Sequence, residues 1–251
     1  MKYVCVILFA LLLANTAFSQ GEISKEKLLL TQVDVGIGYY LPLGDMGARY
    51  SGAFRLGGGF NVKNRKNWTF GLDGGYLFND AVRNPENYLL NMRTELGEVI
   101  SQDGSFAEVI MNMRGLTLNA SIGRVFDVIG PNPNSGIVVR FGVGYLQHKI
   151  HIEARRDDVP QFEEDMRQYY DQLTGGLTLN QFIGYQHLSN SRLTNFFVGI
   201  EAFQGFTRNL RNYNIDLGGK DDRQRFDGLV GLKAGWLLLI YKRKPQEFYF
   251  Y

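Results

Sequence analysis

Three histidines are the residues of this 251-residue chain best suited to general-base or metal chemistry, and two of them stand together in QHKIHIE. His148 and His151 are three positions apart, and on a strand an odd spacing sends them to opposite faces, so they cannot jointly hold a metal. His187 falls at the far end of a different segment. A hydrolytic site would require His148 to meet a serine and a carboxylate at one rim. The acids nearest in sequence, Asp157, Asp158, Glu163 and Glu164, read as solvated loop groups. The run GGGF at 57–60 is not followed by a helical pattern and is no phosphate-binding loop. These patterns lead to the expectation of no catalytic residue, no metal site and no cofactor.

A second set of polar residues is distributed one to a segment. Alternation of apolar and polar residues, the mark of a half-buried strand, recurs in eight segments: 29–42, 51–63, 68–79, 113–126, 136–150, 176–187, 195–207 and 226–241. In the first, Val33, Val35, Ile37, Tyr39 and Leu41 oppose Gln32, Asp34, Gly36, Gly38 and Tyr40. The polar faces carry Asp34, Arg55, Asp73, Asn119, Arg140, Asn180, Glu201 and Lys233, three acids against three bases with two asparagines. If those faces line the lumen of an eight-stranded barrel, the charges must pair to persist there. They are expected to form a salt-bridged structural ring that plugs the tube. Glycines on the same faces leave room for the long side chains in a barrel only just wide enough to hold its contents.

The opposite faces carry rings. Trp68, Tyr185 and Trp236, with Phe60, Phe126 and Phe196, fall near one end of the segments. Tyr39, Tyr76 and Tyr145, with Phe54, Phe78, Phe206 and Phe226, fall near the other. Two aromatic bands with aliphatic residues between them are the outer surface of a membrane barrel. Links alternate as well: NRKN, DVIGPNPNSG and SNSRLT are short, whereas the connections after the first, third, fifth and seventh segments are long. The expected fold is all-β, an eight-stranded antiparallel up-and-down transmembrane β-barrel with short turns in the periplasm, long loops outside and both termini periplasmic. A soluble sandwich or lipocalin-like barrel would also alternate, but with the apolar face inside.

Composition agrees with an exported β-protein. Thirty glycines and 14% aromatic residues suit strands better than a helical bundle. After Lys2, the twelve-residue apolar run YVCVILFALLLA is shorter than a spanning helix and leads into NTAFSQ, so residues 1–19 read as a signal peptide. Cys5 lies inside that segment, which leaves a mature chain without disulfides. The formal charge of +2 becomes +1 once Lys2 is set aside, so no global field attracts nucleic acid. The barrel is then assigned to 20–241 and a periplasmic aromatic tail to 242–251.

Two long loops carry further patterns. Asn84-Pro85 looks like a helix start, with Leu89, Met92 and Leu96 on one face, and Asp103-Gly104 has the form of a type I′ hairpin turn. Pro160 precedes Phe162, Met166, Tyr169 and Leu173 at helical spacing, with Gly175 and Gly176 as its stop. Two short amphipathic helices over the barrel mouth are expected.

With these features placed, the chain resembles the small outer-membrane β-barrel proteins common in Bacteroidetes. The resemblance is carried by YYLPLGDM (39–46), KNWTFGLDGGYLF (66–78), IGPNPNSG (129–136), FGVGYLQHKIHIE (141–153) and GWLLLIYKRKPQEFYFY (235–251), and covers nearly all of the mature chain. It implies an architecture rather than an activity. It also implies that Phe248, Tyr249, Phe250 and Tyr251 form a C-terminal signal read by the barrel-assembly machinery, with docking on a partner as the alternative. The leading expectation is a non-enzymatic barrel set in outer-membrane lipid, a structural or accessory subunit that meets a protein partner in an envelope complex for assembly or secretion. The alternatives are a hydrolase of lipid or peptide at the external rim, and adhesion or ligand binding through loops 84–112 and 156–174.

Overall fold

The computed structural model describes residues 26–240 apart from 80, 156–158 and 191–193. The signal-like segment 1–19, Asp157, Asp158 and the tail with Phe248, Tyr249, Phe250 and Tyr251 lie outside the described residues.

Nine strands form one antiparallel sheet: β1 (Leu30–Leu43), β2 (Ala53–Lys63), β3 (Trp68–Phe78), β4 (Val99–Ile100), β5 (Phe106–Phe126), β6 (Gly136–Arg155), β7 (Thr174–His187), β8 (Phe196–Asn209) and β9 (Gln224–Ile240). β1 pairs with both β2 and β9, and β3 pairs with β5, so eight strands close into an up-and-down barrel. The ninth, two-residue β4, is an appendage on β5. Closure removes every edge from the wall, which only a closed sheet achieves.

The period-two pattern decides the faces. Along β1 the residues Gln32, Asp34, Gly36, Gly38 and Tyr40 are buried, while Val35, Ile37, Tyr39 and Leu41 are exposed. The other seven wall strands follow suit, so polar groups point into the tube and large apolar side chains point away from it. Room inside comes from glycine where long chains cross. A Cβ at Gly75 would sit 2.5 Å from the Arg55 guanidinium carbon, and one at Gly199 would sit 2.7 Å from the ring tip of Phe182.

The three connections at the end where β1 starts and β9 stops have nine residues or fewer; at the opposite end the one after β1 is equally short and the other three are longer. Two wall strands run further than alternation indicated. The β5–β6 ladder continues to Glu108↔Arg155, whereas β7 begins opposite His148, so this hairpin stands above the rim. Gly175 and Gly176 belong to β7, paired with Arg208 and Thr207, and do not stop a helix.

The expected helix after Asn84 does not form as one unit. It is replaced by two 3₁₀ turns, Pro85–Asn87 and Leu90–Met92, because both Asn84 and Leu89 adopt left-handed backbone, which interrupts helical hydrogen bonding. Leu89 is fully buried and Leu96 is 81% exposed, so they share no face. In the second loop a 3₁₀ turn (Pro160–Phe162) leads into the one-turn α2 (Glu164–Arg167). A six-residue helix that the pattern did not signal, α1 (Gly44–Arg49), follows β1. The Asp103-Gly104 turn is not type I′. Only Gly104 has positive φ, and the bonds Gly104 N–H to Ser101 O (3.1 Å) and Ser101 N–H to Ser105 O (2.9 Å) enclose a three-residue loop.

A paired substitution tests the inward glycines. Gly75→Val should cost about 1–3 kcal/mol of barrel stability, because the added atoms must displace Arg55. Gly74→Val, with nothing nearer than 3.6 Å to its Cβ on the outer face, should be near neutral in urea unfolding from detergent.

Candidate functional site: the barrel lumen

Glu201 on β8 is the centre of a charged network. Lys233 Nζ lies 3.0 Å from its Oε1, Arg55 Nη1 lies 3.9 Å from its Oε2, and the Tyr40 hydroxyl donates to Oε2. Arg55 continues the network to Asp73 (2.5 Å) and donates from Nε to Thr117 Oγ1 (2.8 Å). Six strands contribute, so the network crosses the tube rather than following one wall. The cations also use ring faces: Arg55 lies 5.4 Å from the Phe203 centroid, and Lys233 lies 5.8 Å from Phe197 and 5.9 Å from Phe182.

All eight polar residues singled out from the strand patterns face inward, but they do not make one ring. Asp34 accepts from Asn61 (2.5 Å) and pairs with no cation among the described residues. Arg140 stacks on Phe182 at 5.4 Å, and its Nε and Nη2 have no hydrogen-bond partner among the described residues. The same holds for both amide atoms of Asn119, while Asn180 donates to Ala202 O at 3.4 Å. Register is the reason. Asp34 faces Gly59 and Leu237 on its neighbours, and Arg140 faces Gly123 and Phe182. Arg140 and Lys233 both lie against the ring of Phe182, at 5.4 and 5.9 Å from its centroid. Being near the middle of each strand is not the same as being at one level of a sheared barrel.

Apolar layers bound the charges on both sides. Towards the long loops, Tyr40, Leu77, Met113, Leu146, Phe203 and Leu229 join loop residues Leu89, Phe162 and Tyr170 in one buried cluster. The loops therefore fold over the mouth. Asp216, in the loop between β8 and β9, accepts from the Leu89 backbone N–H (3.2 Å), and burial raises its carboxyl above the ordinary range. Towards the short turns, Leu30, Val125, Val138, Phe182, Leu188, Phe197 and Leu237 form a second cluster.

The turn at 129–136 closes that second end. Asn134 accepts from Lys63 Nζ (2.8 Å) and from Leu28 N–H (2.9 Å) and donates to Glu26 O (2.8 Å). Asn132 donates to Leu188 O at 2.5 Å. By its pattern alone the segment reads as a simple link. Its two asparagines, each directly after a proline, are buried and hydrogen-bonded instead of solvated.

His148 and His151 take opposite faces. His148 is buried, with Nε2 at 3.0 Å from Asp227 and Nδ1 at 3.3 Å from the Tyr50 hydroxyl. Thr207 donates to the same Asp227 carboxylate. The acid thus comes from β9, not from the loop carboxylates next in sequence, and a tyrosine stands where a hydrolase would place serine. All four groups are shut away from solvent, so the set ties α1, β6, β8 and β9 together under the loops. His151 points outward beside Glu153 (3.7 Å).

On the outer wall, Tyr39, Phe54, Phe78 and Tyr76 form a ladder with successive centroids 5.0, 5.8 and 6.1 Å apart. Tyr145 lies on the same side, on β6, with β5 between it and the ladder. Near the short turns, Trp68 pairs with Arg124, Tyr185 lies 6.3 Å from His187, and Trp236 faces Phe196.

No protein-family model and no curated protein matches the sequence. Similar backbones occur among solved outer-membrane barrels. Ail, the attachment invasion locus protein of Yersinia pestis, solved with the heparin analogue sucrose octasulfate, is 8% identical over 83% of this chain and 99% of its own, with a TM-score of 0.43. Neisserial surface protein A is 10% identical over 83% and 96%, with a TM-score of 0.45. OprG of Pseudomonas aeruginosa is 14% identical over 86% and 99%, with a TM-score of 0.37. These are proteobacterial proteins, and none supports the Bacteroidetes resemblance. Their roles do not pass to this chain.

The network makes unequal demands on its members. Glu201→Gln leaves Arg55 and Lys233 short of a counter-charge and should lower stability by about 3–5 kcal/mol, whereas Arg140→Met should cost under about 1.5 kcal/mol. Equal losses in heat-dependent mobility shifts on electrophoresis would remove the distinction.

Proposed function

We propose that this protein is a sealed outer-membrane β-barrel serving as a structural or accessory subunit of an envelope assembly or secretion machine, neither a pore nor an enzyme. The observation that carries the reading is the layering of the lumen: a charge network between two apolar clusters, with turns and loops folded over both mouths. A selective pore needs a continuous polar path with weakly held sites. Here the cations are engaged with carboxylates and rings instead. Placement in a membrane rests on the exposed aliphatic belt, including Val35, Ile37, Leu72, Leu118, Val143 and Ile200, bounded by aromatic bands. Short turns at the end holding the first and last strands favour a periplasmic position for that end. The Bacteroidetes-type kinship and the role of Phe248–Tyr251 as a signal for the assembly machinery belong to the same proposal.

One observation favours adhesion as a second reading. Leu90, Leu96 and Phe106 are 59%, 81% and 60% exposed in the loop that spans 84–112, although nearby Leu89 is buried.

Planar-bilayer recording tests the sealed lumen. Purified protein should give no stable single-channel steps, and large steady conductance would overturn the proposal. A mild-detergent pulldown from native membranes tests the accessory role. It should recover a defined envelope complex, and binding lost on deletion of 84–105 with the barrel intact would favour adhesion.

A further inference from the structure

The outer wall holds a like-charge contact that the lumen does not explain. Arg114 on β5 and Lys149 on β6 are directly opposite in the antiparallel ladder, and both point outward. Like charges in that position repel and destabilise the pair unless something neutralises them. Lys149 has partial relief from Asp171 at 3.6 Å, but that carboxylate also holds Arg211 at 2.5 Å. Arg114 has no ion pair among the described residues. The next outward pair up the ladder is Asn112↔His151, and among the described residues His151 meets one acid, Glu153, 3.7 Å away on its own strand.

A cavity of about 330 Å³ opens between these groups, lined by Arg114, Lys149, His151, Gln147, Leu116 and Tyr76. Its position is informative. Tyr76 belongs to the aromatic ladder near the long loops, and Phe78 faces Arg114 across β3 and β5. One step down the wall stand Leu118 and Tyr145, then Leu177, all exposed. Basic groups therefore sit at the loop-side margin of the aromatic band, level in register with Phe78, and a lipid-facing aliphatic wall continues below it.

We propose that this groove binds the phosphate of an anionic membrane lipid, with Arg114 and Lys149 as ligands of the headgroup and Leu116, Leu118 and Tyr76 as the bed for its acyl chain. A phosphate monoester carries enough charge to neutralise both cations, and the planar fork of Arg114 suits two of its oxygens. Free phosphate would satisfy the cations but would leave the apolar floor unused. The proposal depends only on the barrel lying in a bilayer, and it stands whether or not the protein belongs to a larger machine.

Native mass spectrometry of the full-length protein in neutral detergent tests it, with dioleoyl phosphatidic acid, dioleoyl phosphatidylcholine and inorganic phosphate as probes. Phosphatidic acid should be retained about tenfold or more over phosphatidylcholine, the scale expected of two cations at a membrane surface. The double variant Arg114→Gln/Lys149→Gln should lose that preference, and Lys220→Gln, in the loop between β8 and β9, should keep it. Melting in lipid-free detergent supplies a second reading. Arg114→Gln should melt no lower than the parent, because it removes a repulsion, and added phosphatidic acid should raise the melting point of the parent alone. Equal retention of both lipids, an unchanged preference in the double variant, or displacement of phosphatidic acid by millimolar inorganic phosphate would overturn the lipid site.

Discussion

Glu201 is a buried carboxylate inside the tube, and two cations and a tyrosine hydroxyl hold it there. An isolated carboxylate in such surroundings is costly, and so is an isolated guanidinium. Their mutual attraction, strengthened by the low local dielectric, offsets that cost only when geometry is good and the remaining donors are used. The lumen meets this condition by spreading the partners over six strands. Each partner then pins a different part of the wall, so the network fixes the barrel's cross-section as well as its charge.

The rest of the interior is arranged around that layer. Glycine at Gly75 lets Arg55 lie flat across the wall, and glycine at Gly199 makes space for Phe182. Phe182 and Phe197 on one side and Phe203 on the other give the cations ring faces, so charge and apolar packing meet without a gap. Above and below, the tube is filled with ordinary core residues, which an inside-out barrel needs as much as any soluble domain does. Polar groups inside it are consequently of two kinds. Glu201, Arg55, Asp73 and Lys233 are tied into the network, whereas the amide of Asn119 and two nitrogens of Arg140 are enclosed without a hydrogen bond among the described residues.

Both mouths are shut by chain that has no strand of its own. At the short-turn end, Asn134 works as a hub between a turn, the start of the barrel and Lys63. At the other end, Leu89, Phe162 and Tyr170 lay loop residues onto the rim, and the set of Tyr50, His148, Asp227 and Thr207 ties the first helix to three strands beneath them. That set contains a histidine between an acid and a hydroxyl, yet it is sealed under the loops, so its geometry holds the cap in place. The outer wall differs. There Arg114 and Lys149 face each other across the ladder at the loop-side margin of the aromatic band, and Asp171 relieves Lys149 alone.

What was legible in the sequence followed from a local rule. Side chains alternate along a strand, so the inward positions of Asp34, Arg55 and Glu201 and the outward positions of Tyr39, Trp68 and Trp236 could be read from parity, as could the eight wall strands and their short and long links. Helices in the long loops were less legible, because apolar spacing near Leu89 came from residues folding onto a rim, and left-handed backbone at Asn84 and Leu89 broke the pattern. Partnership was not legible. Which acid meets which base depends on the shear of the closed sheet, and that is a property of all eight strands together. For the same reason Asp227 reached His148 from a strand 79 positions away, and Arg114 came to face Lys149. Parity along the chain determined the faces; closure of the barrel alone decided the contacts, because it brings distant strands to a common depth.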